Sequence, residues 1–274
     1  IYRAVILYLD WRSFGLLFSF PFLAIRSFLV GITHTKALSW AAAIAVLINI
    51  PLKFYLIFTR ELGISGAAIA SSLAEMGSFM MLSFYMWIRL DKEKYGLRPV
   101  YNGNLLIKVL KLSTWSMLHA FISVAPWFLF FVSIEHLGKI ELAISNITRS
   151  VSAIFFVIAN SFALTTGSLV SNAIGAGEGK ALFSICSKIL KLGYAIGFPL
   201  VAIALLCNRW IIGFYTSNEL LIQLAFAPFV VMLLNYTFAL PGYVYLNAVG
   251  GTGKTQMTFL FQVTTTTIYL VYLY

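Results

Sequence analysis

The residue of this chain with the clearest capacity for chemistry is Glu75, the one carboxylate set well inside an apolar run. A charged side chain there costs ~3 kcal/mol on insertion scales, so an acid in such a place is by default a functional candidate, able to take up and release a proton or hold a coupling ion. The alternative is a structural glutamate hydrogen-bonded at a helix contact. Gly66, Ala70, Ala74 and Ser78 form a small-residue ridge at four-residue spacing on the same run, which suits close helix packing. His119 also lies within an apolar run; it could titrate near neutral pH, or act as a buried hydrogen-bonding neighbour. Asn146 and Arg149, three apart, share one helix face and could line a cavity, although an arginine near a span end can equally snorkel to lipid headgroups. Asn235 and Tyr236 lie between Pro228 and Pro241, where a broken helix could open a polar pocket.

Two other signals point away from soluble chemistry. Cys186 and Cys207 belong to one apolar run, where a helix separates them by ~30 Å, too far to bridge, and no metal-ligand spacing is present. The segment from Ala248 to Thr255 (AVGGTGKT) loosely fits a phosphate-binding loop, but such a loop needs a strand before it and an α/β sheet around it. Its flanks are apolar runs, so neither nucleotide nor nucleic acid is expected. A nucleophile–base constellation is also missing, which argues against a membrane-embedded enzyme.

These residues sit in a chain that is 61% hydrophobic and 10% charged, with a mean hydropathy of +0.91. A soluble domain carries about 25% charged residues to solvate its surface. Eight apolar runs (11–31, 37–58, 64–88, 112–134, 142–170, 185–206, 220–249 and 257–274) approach or exceed the ~20 residues a helix needs to cross ~30 Å of hydrocarbon. They are apolar on all faces, unlike the alternating strands of outer-membrane barrels. Six of the seven prolines fall inside them, as membrane helices tolerate. The expected fold is therefore all-α and polytopic.

The net charge of +10 is an orientation signal. Alternating spans put eleven lysines and arginines in one set of loops, including Lys36 and the 89–111 segment, and five (Arg3, Arg12, Arg60, Lys139, Arg209) in the other. The positive-inside rule then places the 89–111 loop in the cytoplasm. The polar stretch 89–104 reads as a linker between two helical lobes, with domains at 1–90, 91–104 and 105–274. Val30-Gly31-Ile32-Thr33 and Val249-Gly250-Gly251-Thr252 recur in equivalent loops, which suggests duplicated halves arranged in parallel. That repeat implies twelve helices in all, eight of them present, with about three missing before residue 1 and one after residue 274.

The segments GITHTK at 31–36, LGISGAAIASSLAE at 62–75, FLFFVSIEHLG at 128–138, LAISNITRS at 142–150 and LVSNAIGAGEGKA at 169–181 resemble the multidrug and toxic compound extrusion (MATE) transporters, closest to their bacterial DNA-damage-inducible branch. The resemblance implies two pseudo-symmetric six-helix bundles around a central cavity that opens alternately to each side. It implies a monomeric antiporter in the bacterial inner membrane, exporting organic, often cationic or amphipathic compounds in exchange for H+ or Na+, with no further cofactor. The matching cytoplasmic loops carry Gly31, Thr33, Lys36, Gly175, Gly177, Gly250 and Thr252. Where some members have ion-binding carboxylates, this sequence has Ser123 and Phe238, and His119 stands where relatives often have glutamine. A flippase of lipid-linked oligosaccharides from the same superfamily is the nearest alternative, for which Arg26 and Arg149 could offer basic groups.

Overall fold

In the computed structural model, residues 2–91, 93–97 and 101–273 are described. Lys92 and Arg98, counted above among the loop cations, lie outside them. Helices run through almost the whole described chain. They are α1 (Tyr2–Gly31), α2 (Lys36–Phe54), α3 (Gly63–Arg89), α4 (Gly103–Leu137), α5 (Lys139–Gly175), α6 (Leu182–Leu206), the short α7 (Asn208–Gly213), α8 (Glu219–Gly251) and α9 (Thr255–Leu273). No strand occurs among the described residues. A π-helical turn, Tyr55–Thr59, closes α2.

Seven of these helices are long and apolar enough to cross a membrane. The eighth expected span, α9, is there as a 19-residue helix, but the run Thr264–Thr267 leaves it less apolar. Its hydroxyls turn inward on the helix: Thr264, Thr265 and Thr267 donate to the carbonyls four residues back. Such back-bonding satisfies a hydroxyl where water is absent.

Several helices overrun the apolar stretches that announced them. α4 starts at Gly103 rather than near Leu112, because Asn102 caps it by accepting a hydrogen bond from the Leu105 N–H at 3.1 Å. Lys108 and Lys111 are thus helical, not loop residues. At its other end α1 reaches back to Tyr2, so Arg12 is not a loop cation either; it stands within the helix.

The chain divides into two compact units between Tyr101 and Asn102, inside the 89–104 stretch. In the first, α3 packs on both α1 and α2. The ridge of Gly66, Ala70, Ala74 and Ser78 is buried, and the Ser78 hydroxyl donates to Ala41 O of α2 at 3.2 Å. A second cluster, built on Leu29, Ala37 and Leu82, closes the end near residue 90.

The second unit is centred on α5 and α8, with Phe155, Phe229, Leu233, Tyr236 and Leu240 in its core. Two close approaches fix this packing. A methyl on Gly251 would stand 2.5 Å from Gly167 O, so α5 and α8 meet backbone to backbone there, and Ser171 Oγ donates to Gly251 O at 2.6 Å. Gly197 of α6 likewise leaves room for the ring of Tyr236.

The recurring turns share a backbone pattern, with a register one residue later than the V-G-x-T match suggested. Ile32 N–H donates to Phe28 O and Thr33 N–H to Val30 O; in the second copy Thr252 N–H donates to Ala248 O and Gly253 N–H to Gly250 O. Thr33 (φ 62°) therefore corresponds to Gly253 (φ 80°), and Gly31 to Gly251 rather than Gly250.

Candidate functional site

Two polar sites lie inside the apolar bundles, one in each unit. In the first, Glu75 of α3 faces α1. Arg12 donates from Nη2 to Glu75 Oε1, and Ser19 Oγ donates to Glu75 Oε2. Ser72, one turn before Glu75, donates to Trp11 O at 3.3 Å. Arg12, Gly15 and Ser19 fall at i, i+3 and i+7, so α1 presents one polar stripe to this contact. The carboxylate enters the helix bundle already matched by a cation, and the pair as a unit is neutral. This geometry favours the structural alternative for Glu75 over a free carboxylate. Arg12 keeps one buried nitrogen, Nη1, without a hydrogen-bond partner.

The second site is a cavity of about 570 Å³ among α4, α5, α8 and α9. Each helix gives it one face. Pro126, Trp127 and Phe130 come from α4, and Ser145, Thr148 and Arg149 from α5 at i, i+3 and i+4. From α8 come Pro228, Val231, Met232 and Asn235, and from α9 Tyr269. Pro126 and Pro228 each remove one rung of their helix's hydrogen-bond ladder beside the space. The volume is that of a small-molecule pocket, ~300–1,000 Å³, and its walls are mainly apolar with a few polar groups, the usual composition of such sites.

Charge in the cavity is one-sided. Among the described residues, Arg149 is the only ionisable lining residue apart from the phenol of Tyr269. Its guanidinium lies 5.1 Å from the centre of the Phe131 ring, a cation–π contact. Thr148 donates its hydroxyl to Ile144 O at 2.8 Å and so offers only an acceptor to the cavity.

Residues 116–274, which hold all the residues lining this cavity, match the MatE family model. The chain belongs to the MatE family. Similarity to individual members is distant. Over 157 residues it is 27% identical to "Probable multidrug resistance protein NorM" of Photorhabdus laumondii, a match covering 55% of this chain and 34% of that protein. Over 237 residues it is 24% identical to the NorM of Idiomarina loihiensis, covering 82% and 50%. The MatE chain thus spans about a third to a half of these curated relatives. Among solved structures, a MATE crystal structure in the bent conformation superposes with a TM-score of 0.77 at 18% identity, covering 94% of this chain and 58% of that one. A MOP superfamily transporter from Pyrococcus furiosus gives 0.61 at 15% identity, covering 82% and 51%. At these identities the structures establish the fold.

Within this MatE chain the expected site residues separate. Arg149 and Asn235 meet at the cavity, although 86 residues apart in sequence. Asn146 does not join them: it is exposed, on the face beside the lining stripe. Tyr236 points the other way from Asn235. It is buried against Phe155 and Gly197, and its hydroxyl donates to Gly193 O at 3.0 Å, so it is a packing residue. His119 stands apart, with its Nε2 buried and without a hydrogen-bond partner. It lies one helical turn beyond Trp115, which packs on Phe259 of α9 with ring centres 5.3 Å apart. Ser123 and Phe238 do not line the cavity; Ser123 donates back to Ala120 O at 2.7 Å and Phe238 is largely exposed.

The motif loops are chain reversals. Of the three glycines at 175–179 only Gly177 takes a left-handed φ (79°); Gly175 ends α5 and Gly179 opens a 3-10 turn. In the AVGGTGKT turn the N–H groups of Thr252 and Gly253 are bonded to carbonyls of α8, which leaves them unavailable to a phosphate. Sequence reasoning missed Arg12, Ser19, Trp127, Phe130 and Tyr269. The i, i+3, i+7 stripe on α1 was the available signal for the first two.

Proposed function

We propose that this chain forms part of a secondary active transporter that exports amphipathic organic compounds in exchange for H+ or Na+, as a monomer in a bacterial inner membrane with the 89–111 loop cytoplasmic. The observation that carries the reading is the cavity enclosed by four MatE helices, apolar and ring-lined with convergent polar groups. Its relatives named NorM are multidrug resistance proteins by name. Aromatic walls at Trp127, Phe130 and Tyr269 suit flat organic bodies. Organic cations would have to be held by these rings alone, since no carboxylate lines the cavity among the described residues.

An ion gradient supplies enough energy. One monovalent ion falling through ~100 mV releases ~2.3 kcal/mol. At about 1.4 kcal/mol per tenfold, that sustains roughly a 50-fold gradient of a neutral solute. A one-for-one exchange of monovalent cations is electroneutral and draws on the ion's concentration gradient instead.

The test is efflux of ethidium or norfloxacin from vesicles under imposed pH or sodium gradients. Export that follows one gradient and stops when it is collapsed supports the reading and names the ion. Export indifferent to both gradients overturns it. Glu75→Gln in the same assay decides the role of the carboxylate: unchanged pH-driven export removes Glu75 from the coupling mechanism. The flippase alternative rests on cavity cations, and Arg149 is the one it has, while Arg26 is an exposed residue of the first unit.

A further inference from the structure

The charge of the second unit's cavity carries the reading further than size and shape. Arg149 lines the cavity as an exposed side chain and has no carboxylate partner among the described residues. Arg12, half-buried in a helix contact, shows the contrast: its charge is matched by Glu75. An arginine without a counter-charge on the wall of a mainly apolar cavity is one that an incoming anion can match.

Each helix around the cavity can be checked for a hidden partner. On α5 the nearest carboxylate is Glu141, eight residues before Arg149, or ~12 Å along the helix axis, and it folds back against Gly138. On α4, Glu135 lies beyond the cavity face, in the last turn before Gly138. On α8, Glu219 is nine residues from Pro228 and pairs with Arg209 at 3.1 Å. α9 carries no acidic residue. The Phe131 ring positions the guanidinium but cannot neutralise it. The side-chain amide of Asn235 makes no hydrogen bond within the described chain and supplies a further donor.

We propose that this cavity binds an amphipathic organic anion, its carboxylate, sulfonate or phosphate on Arg149 and Asn235 and its flat body among Trp127, Phe130 and Tyr269. The proposal names the substrate class for the transport reading above and rests on it for the direction of movement, while the binding itself stands separately. A guanidinium recognises such groups through paired N–H donors, which lysine cannot reproduce. The same chemistry describes a soluble aromatic acid and the headgroup of an anionic phospholipid, and the experiment must separate them.

Three pyrene probes with one body and different charge serve as ligands: pyrenebutyrate, its methyl ester and the pyrenebutyl-trimethylammonium cation. Binding is measured on the full-length transporter in phosphatidylcholine nanodiscs against empty discs. The expected result is that the carboxylate binds about tenfold or more tightly than the ester, and that Arg149→Gln abolishes this margin. Arg149→Lys keeps the charge without the planar fork and should retain part of the margin, which keeps the test valid if the glutamine variant fails to fold. Tightest binding of the ammonium probe, or a carboxylate margin that survives Arg149→Gln, overturns the proposal. Discs containing phosphatidylglycerol distinguish the sources: competition that depends on Arg149 assigns the site to a lipid headgroup, and its absence assigns it to a soluble anion. Gradient-driven transport in vesicles is scored separately. Arg149-dependent binding without transport retains the anion site and sinks the exporter reading; transport of the ammonium probe alone does the reverse.

Discussion

Arg12 and Glu75, 63 residues apart in sequence, form an ion pair between α1 and α3 within the apolar bundle of the first unit. Removing one partner strands the other in a medium that cannot solvate it, whereas removing both leaves an apolar contact. Breaking a buried pair costs on the order of 3–5 kcal/mol. Both side chains retain over a quarter of their surface (27% and 29%), so the low end of that range is expected. Arg12→Met and Glu75→Leu should each lower the thermal midpoint in detergent, and the double variant should recover most of the loss. Equal losses in the double and single variants would show that the contact does not depend on the pairing.

Tyr236 occupies the space that Gly197 leaves open and ties α8 to α6 through Gly193 O. Gly197→Ala forces the ring aside, and overpacking of this kind costs ~1–3 kcal/mol. Tyr236→Phe keeps the ring and loses one hydrogen bond, worth about 1 kcal/mol. Because Tyr236 faces away from the cavity, Tyr236→Phe should leave probe binding untouched while Asn235→Ala weakens it. Binding isotherms on the two neighbouring variants check this directly; a larger binding defect in the Tyr236 variant would place it back in the site.

What could be read from the sequence follows from what hydropathy measures. It reports the stretch of a helix that lies in hydrocarbon, so the apolar runs located α1 to α6, α8 and α9 but not their ends. α4 continues to Gly103 through Lys108 and Lys111 because a helix does not stop where lipid does. Arg149 and Asn235 were legible as polar residues in apolar runs. That they meet, while Asn146 and Tyr236 do not, depends on which face of α5 turns toward α8, and helices apolar all round do not announce a face. Arg12 was read as a loop cation because the apolar run gave no sign that α1 reaches back to Tyr2. The MatE resemblance was legible in five segments, of which 62–75, 128–138 and 142–150 fall mainly within α3, α4 and α5 and the other two at chain reversals.

The two recurring turns differ at one informative position. Thr33 takes φ 62° where Gly253 takes φ 80°. A left-handed conformation costs a side-chain-bearing residue roughly 1–2 kcal/mol, partly offset by the greater freedom of glycine in the unfolded chain. Thr33→Gly should therefore raise stability by up to about 1 kcal/mol, and Gly253→Thr should lower it by a similar amount. Under the V-G-x-T register the sensitive position would instead be Thr252. A Thr252→Ala variant more damaging than Gly253→Thr would restore the earlier alignment.

Native cysteines provide the topology test. Cys207 is exposed at the end of α6, and Cys186 is buried near its start. Three long helices, α4, α5 and α6, separate Gly103 from Cys207, so the two ends must lie on opposite sides of a membrane. The proposed cytoplasmic placement of residues 89–111 rests on their excess of lysine and arginine. A membrane-impermeant maleimide added to intact cells should therefore label Cys207. In a Cys207→Ser background, a cysteine introduced by Glu93→Cys should react only after the cells are opened. Labelling of the Glu93→Cys variant from outside would invert the orientation, and would turn the proposed direction of transport with it.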